Sequence, residues 1–176
     1  AGLDVSRTIH GIDVNESTDV VVEQSVLHDN RTAVVLLRSD RATVRWNVVS
    51  DNDTDGLNDR DSTGSRFAHN LVARNAHEGF SLSSSHDAVV EGNVFFRNGI
   101  EGLHATAGER TLVRANLALG NDGDGLAADG FHSAFGGNVA LANHGYGIRA
   151  EHDAVDLGRN VAHANREGNC LNLGCR

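Results

Sequence analysis

The sequence predicts an all-β fold, a single-stranded solenoid of about seven to eight coils with 22 to 23 residues each. The pattern apolar-x-x-Asn-apolar-x-x-x-Asn recurs along the chain, and its first Asn stands at positions 47, 70, 93, 116, 138 and 160. Nine residues after that Asn there is usually a Gly followed by a large apolar residue, as in Gly56-Leu57 and Gly79-Phe80. A fixed period of this length indicates a repeat protein whose units bury their apolar residues against their neighbours.

Each repeat has room for three short strands and three turns, but not for a strand-helix-strand crossover with its own core. Strands of successive coils would pair in parallel about 4.8 Å apart. The recurrent Asn is expected at a bend, because Asn tolerates the left-handed conformation. Stacked Asn side chains could also hydrogen-bond to each other along the solenoid. The Gly column is expected to serve a second bend by the same conformational freedom.

One position per coil forms a column along a solenoid, and the columns predict the core. The residues three places before the first Asn are apolar and predicted to be buried; they are Val22, Val44, Phe67, Val90, Val113, Phe135 and Leu157. The next strand carries two adjacent apolar columns, beginning with Val26 and Leu27, and alternation does not decide which faces inward. Opposite charges on adjacent coils, such as Glu23 and Arg45, predict a ladder worth about 0.2–1 kcal/mol per pair.

The Asn-rich, helix-poor repeat resembles the right-handed parallel β-helix of the pectate-lyase-like superfamily, from about Gly2 to Asn169. The right hand is implied by this resemblance. We expect one domain over 1–176, with a partial N-terminal coil at 1–21, regular coils at 22–165 and a C-terminal loop at 166–176. The fold carries lyases, hydrolases, epimerases, adhesins and phage proteins, so it does not by itself determine a reaction.

The two cysteines, Cys170 and Cys175, are predicted to form a disulfide that closes the C-terminal loop. A metal site or a redox pair is the alternative, but the spacing does not match a redox motif and no further Cys is present. A structural disulfide forms in an oxidising compartment, so the expected location is secreted or extracellular.

Charge and composition limit the classes of partner that the protein is expected to bind. The formal net charge is −9, which argues against nucleic acid because such partners need clustered cations. No apolar run approaches the roughly 18 residues of a membrane span, so no membrane partner is expected. The resemblance implies a polysaccharide or other glycan as ligand. Solenoid ends expose core and strand edges, so self-association or an upstream domain is expected at the N-terminal coil.

The strand after the Gly column is the candidate site, because enzymes of the superfamily have their active site on the outer face of one such strand. The candidate catalytic residues are Asp55, Glu101, His104 and Asp124. The candidate ligand-binding residues are Asp59, Arg60, Glu78, Asp129 and Arg149. Carboxylates on adjacent coils could divide acid and base roles. Glu78, Glu101 and Asp124 could instead hold calcium, the one cofactor considered, or could form a solvated acidic edge.

Two local features bear on this site. Asp59 stands where other coils have Leu or Ala, and we expect a bulge that turns it out to solvent. The segment Asn52 to Leu57 is similar to the Asn-Thr-Asp-Gly signature of polygalacturonase-type hydrolases, which implies a catalytic role for Asp55. The following His77-Glu78-Gly79 lacks the paired aspartates of that family, and its Arg-x-Lys motif is missing.

The sequence therefore favours a protein that binds or processes a polysaccharide on the outer face of the strand after the Gly column. If it is an enzyme, the resemblance implies a lyase, a hydrolase or an epimerase. The alternative is a non-catalytic scaffold for adhesion or assembly. Nearly constant coil length provides no long loops to wall a cleft, and one Trp and one Tyr offer few platforms for sugar rings.

Overall fold

A computed structural model describes all 176 residues and confirms the predicted fold class. The chain has no helix, and its strands form three parallel sheets, each built from one strand per coil. Strands three apart along the chain pair in parallel throughout, which is the connectivity of a single-stranded solenoid. No helix is present that is long and apolar enough to cross a membrane.

The strands are numbered in chain order and grouped by sheet. Sheet I contains β1 (Asp4–Ser6), β4 (Val26–His28), β7 (Val48–Ser50), β10 (Leu71–Ala73), β13 (Val94–Phe96), β16 (Leu117–Leu119), β19 (Val139–Leu141) and β22 (Val161–His163). Sheet II contains β2 (His10–Asn15), β5 (Thr32–Leu37), β8 (Leu57–Arg60), β11 (Phe80–Ser83), β14 (Leu103–Thr106), β17 (Leu126–Ala128), β20 (Tyr146–Ala150) and β23 (Gly168–Leu171). Sheet III contains β3 (Val21–Glu23), β6 (Thr43–Arg45), β9 (Arg66–Ala68), β12 (Val89–Glu91), β15 (Leu112–Arg114), β18 (Ala134–Gly136) and β21 (Val155–Asp156).

The three sheets enclose one continuous hydrophobic core. In sheet I the second residue of each strand faces inward, as Leu27 does at 0% exposure, and the first faces outward, as Val26 does at 41%. The predicted core column is confirmed from Val22 to Phe135 but is wrong at Leu157, which is 55% exposed. There β21 pairs Asp156 with Phe135, one residue out of the expected register. A slip of one residue turns a strand's side chains to the opposite face.

Two buried ladders of Asn side chains run along the solenoid, as predicted. Asn47 Nδ2 donates to Asn70 Oδ1 at 3.0 Å and to the Val22 carbonyl at 3.0 Å. The expected backbone reason was wrong, because the left-handed residue is the one before the Asn, such as Trp46 with φ 58°. The Asn side chain is buried and satisfies backbone and side-chain groups of adjacent coils, which a buried turn requires.

The Gly column also has a different cause from the expected one. None of its residues, Gly79 among them, has a positive φ. A Cβ at Gly79 would instead lie 2.6 Å from Asn98 Nδ2 and 2.6 Å from the Gly102 carbonyl oxygen. Close approach of the backbone to the Asn ladder, rather than a special turn, therefore requires Gly at this place in each coil.

We expect Gly79→Ala to lower the free energy of unfolding by about 3 kcal/mol, because the added methyl group would overlap atoms of the tightly packed Asn ladder. Gly137→Ala is the matched control, since Gly137 has φ 64° and no atom within 4 Å of an added Cβ. The control should cost about 1 kcal/mol from left-handed strain alone. Urea unfolding of both variants measures the difference, and equal costs would contradict the close-approach account.

The charge ladder and the C-terminal disulfide are both confirmed. Arg45 binds Glu23 at 2.7 Å, and Arg114 binds Glu91 on the neighbouring coil. Cys170 and Cys175 are joined by a disulfide. The segment predicted as a C-terminal loop also contributes β23, which pairs with β20 and extends sheet II by one strand. The disulfide therefore joins this paired strand to the residues that directly follow it.

Candidate functional site

The candidate site lies on the outer face of sheet II. In the four-residue strands β8, β11 and β14 the first and third residues face the core, as Phe80 and Leu82 do in β11, and the second and fourth face outward, as Ser81 and Ser83 do. This alternation places Arg60, His104 and Arg149 outward, as the sequence predicted. The acidic residues before the Gly column stand at the starts of the same strands, so they form one edge of this face.

Asp55 and Glu78 lie on adjacent coils at that edge and are called here the carboxyl pair. They have carboxylate oxygens within 4.8 Å of each other, and Asn58 Nδ2 donates to Asp55 Oδ2 at 2.9 Å. Burial, followed by the neighbouring Glu78 carboxylate, raises the pKa of Asp55 to about 6. The His104 imidazole, 4.0 Å from Glu78 Oε1, holds the pKa of Glu78 well below its usual value. Two like groups side by side therefore favour opposite protonation states.

His104 lies between two carboxylates. Its Nε2 is 3.2 Å from Asp129 Oδ2, and its Nδ1 faces Glu78. Glu78 and then Asp129 raise the pKa of the imidazole against the opposing effect of burial. Glu101 completes the group, since its carboxylate lies within 4.8 Å of both Glu78 and His104, and burial raises its pKa. The predicted site residues on β14 and the two preceding coils are thus brought together.

Asp124 was expected to be catalytic or to bind a metal ion, but its oxygens are already engaged. Oδ1 accepts the Tyr146 backbone N–H at 2.7 Å, and Oδ2 accepts from Arg149 Nε. Arg149 also donates to Asp129 Oδ1. Arg149 is therefore bound by two carboxylates, and Asp124 is paired within the protein. These three residues form a group of ion pairs at the C-terminal end of the face.

The residues at the edge do not fit the calcium site considered from the sequence. Two groups of side chains converge and share Glu78, namely Asp55, His77 and Glu78, and Glu78, Glu101 and His104; neither includes Asp124. Calcium takes six to eight oxygen ligands, whereas each group offers two carboxylates and an imidazole nitrogen.

The prediction that Asp59 points to solvent is wrong. Asp59 faces the core at 0% exposure, in register with Leu36 and Leu82 on the adjacent strands, so the expected bulge toward solvent is absent. Neither carboxylate oxygen has a hydrogen-bond partner. Burial raises the pKa of Asp59 to about 7. A ligand on the outer face cannot reach this side chain, so it is not a ligand-binding residue of that face.

A shallow pocket beside the carboxyl pair was not anticipated. It has a volume of about 200 Å³, and its lining includes Val35, Leu37, Asn58 and Arg60. The run Thr-Ala-Val-Val-Leu-Leu at β5 indicates this pocket in the sequence. This strand is apolar on both faces, whereas strands such as β8 and β11 have polar residues on the outer face. Arg60, predicted to bind ligand, stands at this pocket rather than at the carboxyl pair.

Comparisons with known proteins agree with the architecture. The profile of the family described as "right handed beta helix region" matches residues 3–138. No curated protein matches the sequence. Solved structures that resemble the chain include the periplasmic alginate epimerase AlgG, with a TM-score of 0.81 and 18% identity over 93% of this chain and 45% of that one.

Two further structures resemble the chain. Pectate lyase Pel9A has a TM-score of 0.67 and 17% identity, over 90% of this chain and 52% of that one. The A-module of the Azotobacter vinelandii mannuronan C-5 epimerase AlgE6 has a TM-score of 0.56 and 16% identity, over 96% and 64%. The chain spans about half the length of AlgG and Pel9A. At these identities the likeness establishes the fold, and with the family match it shows that the chain belongs to the right-handed β-helix family.

Proposed function

We propose that this protein processes a polysaccharide on the outer face of sheet II by proton transfer at the carboxyl pair. The observation that carries the proposal is the opposite protonation preference of Asp55 and Glu78, two carboxyl groups on adjacent coils. Acid-base chemistry needs a donor and an acceptor within reach of one substrate, and groups whose environments separate their pKa values supply both.

The roles follow from the contacts. Asp55 keeps its proton up to about pH 6 and acts as the donor. Glu78 stays ionised and acts as the acceptor. His104 lies between Glu78 and Asp129, which raise the pKa of its imidazole, and its contact with Glu78 favours the ionised form of that acceptor. A hydrolase, a lyase and an epimerase all need such a donor and acceptor, so the product distinguishes between them.

The surroundings support a polymeric glycan as substrate. The outer face beside the carboxyl pair has a floor of small hydroxyl residues, Ser81, Ser83 and Thr106, which leaves room for sugar rings and offers hydrogen bonds. The face is open along the solenoid, so a chain can extend past both ends of the site. The similar solved structures include an alginate epimerase and a pectate lyase, which favours a polysaccharide over a small substrate.

Secretion into an oxidising compartment is part of this proposal. The disulfide between Cys170 and Cys175 is stable under such conditions. A structural neighbour, AlgG, is periplasmic. An extracellular or periplasmic location would also give the protein access to polymers too large to enter a cell.

The test is a panel of uronate-containing and neutral polysaccharides incubated with the wild type and with Glu78→Gln. New reducing ends without unsaturated products report hydrolysis, absorbance of unsaturated products reports elimination, and deuterium uptake from D₂O without cleavage of the polymer reports epimerisation. We expect one of these signals with the wild type and a reduction of about 10²–10⁴-fold in the variant. Equal rates for the two proteins on every substrate would contradict the proposal.

The second candidate is a non-catalytic scaffold, favoured by the absence of long loops that would wall a cleft around the face. The pocket of about 200 Å³ is small beside the ~300–1,000 Å³ of sites that enclose drug-sized ligands. Binding of a glycan without any of the three product signals would support this alternative.

A further inference from the structure

The pocket next to the carboxyl pair has an apolar floor. Val35 and Leu37 face outward from β5 and are half-buried, and the walls are formed by Asn58 and Arg60 of β8 and by His10 of β2. Outward-facing apolar side chains in the floor of a polar face provide a surface for the C–H face of a sugar ring. At about 200 Å³ the pocket accommodates one sugar unit rather than several.

Arg60 is the free cation of this face. Its side chain is exposed, and no carboxylate oxygen lies within 4.0 Å of its guanidinium group. Arg149, the other outward-facing arginine of the sheet II strands, is bound by both Asp124 and Asp129. His10 in the opposite wall is already bound to Asp13 at 2.7 Å. An anionic group on a ligand therefore has one preferred place on the face, beside Arg60.

The charges around the carboxyl pair have the opposite effect. Glu78 is ionised, Glu101 lies close to it, and the His104 imidazole is already engaged by Glu78 and Asp129, so a negatively charged sugar at this place would be repelled. The pocket is lined by β2, β5 and β8, and its centre lies one to two strand spacings, ~5–10 Å, from the coil of Glu78. Neighbouring sugar units thus meet environments of different charge preference.

We propose that the pocket binds an anionic sugar unit through Arg60 while an uncharged neighbouring unit lies at the carboxyl pair, so that the substrate is a polysaccharide of mixed charge. The placement of the uncharged unit rests on the proposed function and, among its three reactions, on hydrolysis, since elimination and epimerisation abstract the proton beside the carboxylate of a uronate unit. The pocket itself does not, because its floor and its free arginine exist whether or not Asp55 and Glu78 transfer protons. The anionic group is either a carboxylate or a sulfate ester, since a guanidinium group binds both in bidentate geometry.

The test is calorimetric binding to Asp55→Asn, which prevents turnover during the measurement and keeps the Glu78 carboxylate. The probes are a hyaluronan hexasaccharide with alternating uronate and uncharged units, a κ-carrageenan hexasaccharide with alternating sulfated and uncharged units, an oligogalacturonate with uronate throughout, and an uncharged cellohexaose. We expect the two alternating oligosaccharides to bind more tightly than the other two. Whichever of the two alternating oligosaccharides binds more tightly shows whether Arg60 prefers a carboxylate or a sulfate ester.

Adding Arg60→Gln should weaken the binding of the alternating oligosaccharides by about 10–100-fold and leave cellohexaose unchanged, since a charge-assisted contact is lost. Arg97→Gln is the matched control, because Arg97 is exposed beside Phe96 of sheet I and far from the pocket. Tighter binding of oligogalacturonate, equal weakening of every probe, or no binding of any probe would overturn the inference. Arg60-dependent binding without turnover of any glycan by the wild type would overturn the proposed function instead.

Discussion

Asp59→Leu is expected to stabilise the protein and to raise its melting temperature by about 10 °C at pH 8. Asp59 is fully buried between Leu36 and Leu82, and its oxygens have no hydrogen-bond partner. The difference between the usual pKa of 3.8 and about 7 corresponds to about 4 kcal/mol in favour of the unfolded state at pH 8. Each kcal/mol shifts the melting temperature of a chain of this size by about 2–4 °C.

The gain should depend on pH in a definite direction. In the unfolded chain Asp59 ionises near pH 3.8, whereas in the native protein it keeps its proton to about pH 7. Between these values the native state binds more protons than the unfolded state, so this residue makes the protein less stable as pH rises. At pH 4 the carboxyl group is mostly neutral in the native state and nearly half protonated when unfolded, so Asp59→Leu should gain only about 1–3 kcal/mol there.

Circular dichroism melts at pH 4, 6 and 8 measure this dependence. Asp59→Asn is the matched control, because the amide keeps the shape and the unsatisfied polar atoms but does not ionise. It should remove the part of the pH dependence that Asp59 causes and recover less stability than leucine does. If Asp59→Leu destabilises the protein equally at all three pH values, Asp59 has a partner that stabilises it in the core.

Asp55→Asn is expected to lower the rate on a processed polysaccharide by about 10²–10⁴-fold, because the amide cannot donate the proton that Asp55 supplies. The wild-type rate should fall as pH rises through about 6, where Asp55 loses its proton. The residual rate of the variant should lack this limb of the profile. Rates measured from pH 4.5 to 8 on the substrate identified by the panel give both quantities.

Asp53→Asn is the control for this experiment, since Asp53 is an exposed carboxylate on the same turn and lies outside the carboxyl pair. It should retain the wild-type rate and pH profile. An Asp55→Asn variant that keeps the alkaline limb would assign that limb to another group, and Glu101, whose pKa is also raised by burial, would then be examined by Glu101→Gln.

Much of the architecture was predictable because every repeat must meet the same requirements for strand pairing and burial. Six Asn at a 22 to 23 residue period, such as Asn47 and Asn70, are difficult to explain except by stacking. The physical reasons for the Asn and Gly columns could not be predicted from the sequence. The left-handed residue is Trp46 rather than Asn47, and Gly79 is required by close approach rather than by its φ. These reasons depend on side-chain direction and on the neighbouring coil, neither of which periodicity describes.

The candidate site was also predictable only in part. The column position of Asp55, Glu78, Glu101 and His104 followed from the repeat, and the structure brings these four side chains to one edge. That Asp124 is engaged by Arg149 and Tyr146 did not follow, because these contacts depend on side-chain rotamers across neighbouring coils.

The sequence by itself determined the solenoid, its period, the Asn ladders and the strand face that carries the carboxylates, because each of these repeats along the chain and must satisfy the same backbone and burial constraints in every coil. Only the tertiary structure decided the exceptions. Asp59 points into the core because its strand keeps register with Leu36 and Leu82, and Leu157 points out because β21 does not. Register is set by pairing with the adjacent coil, and a single residue of slip reverses which face a side chain occupies.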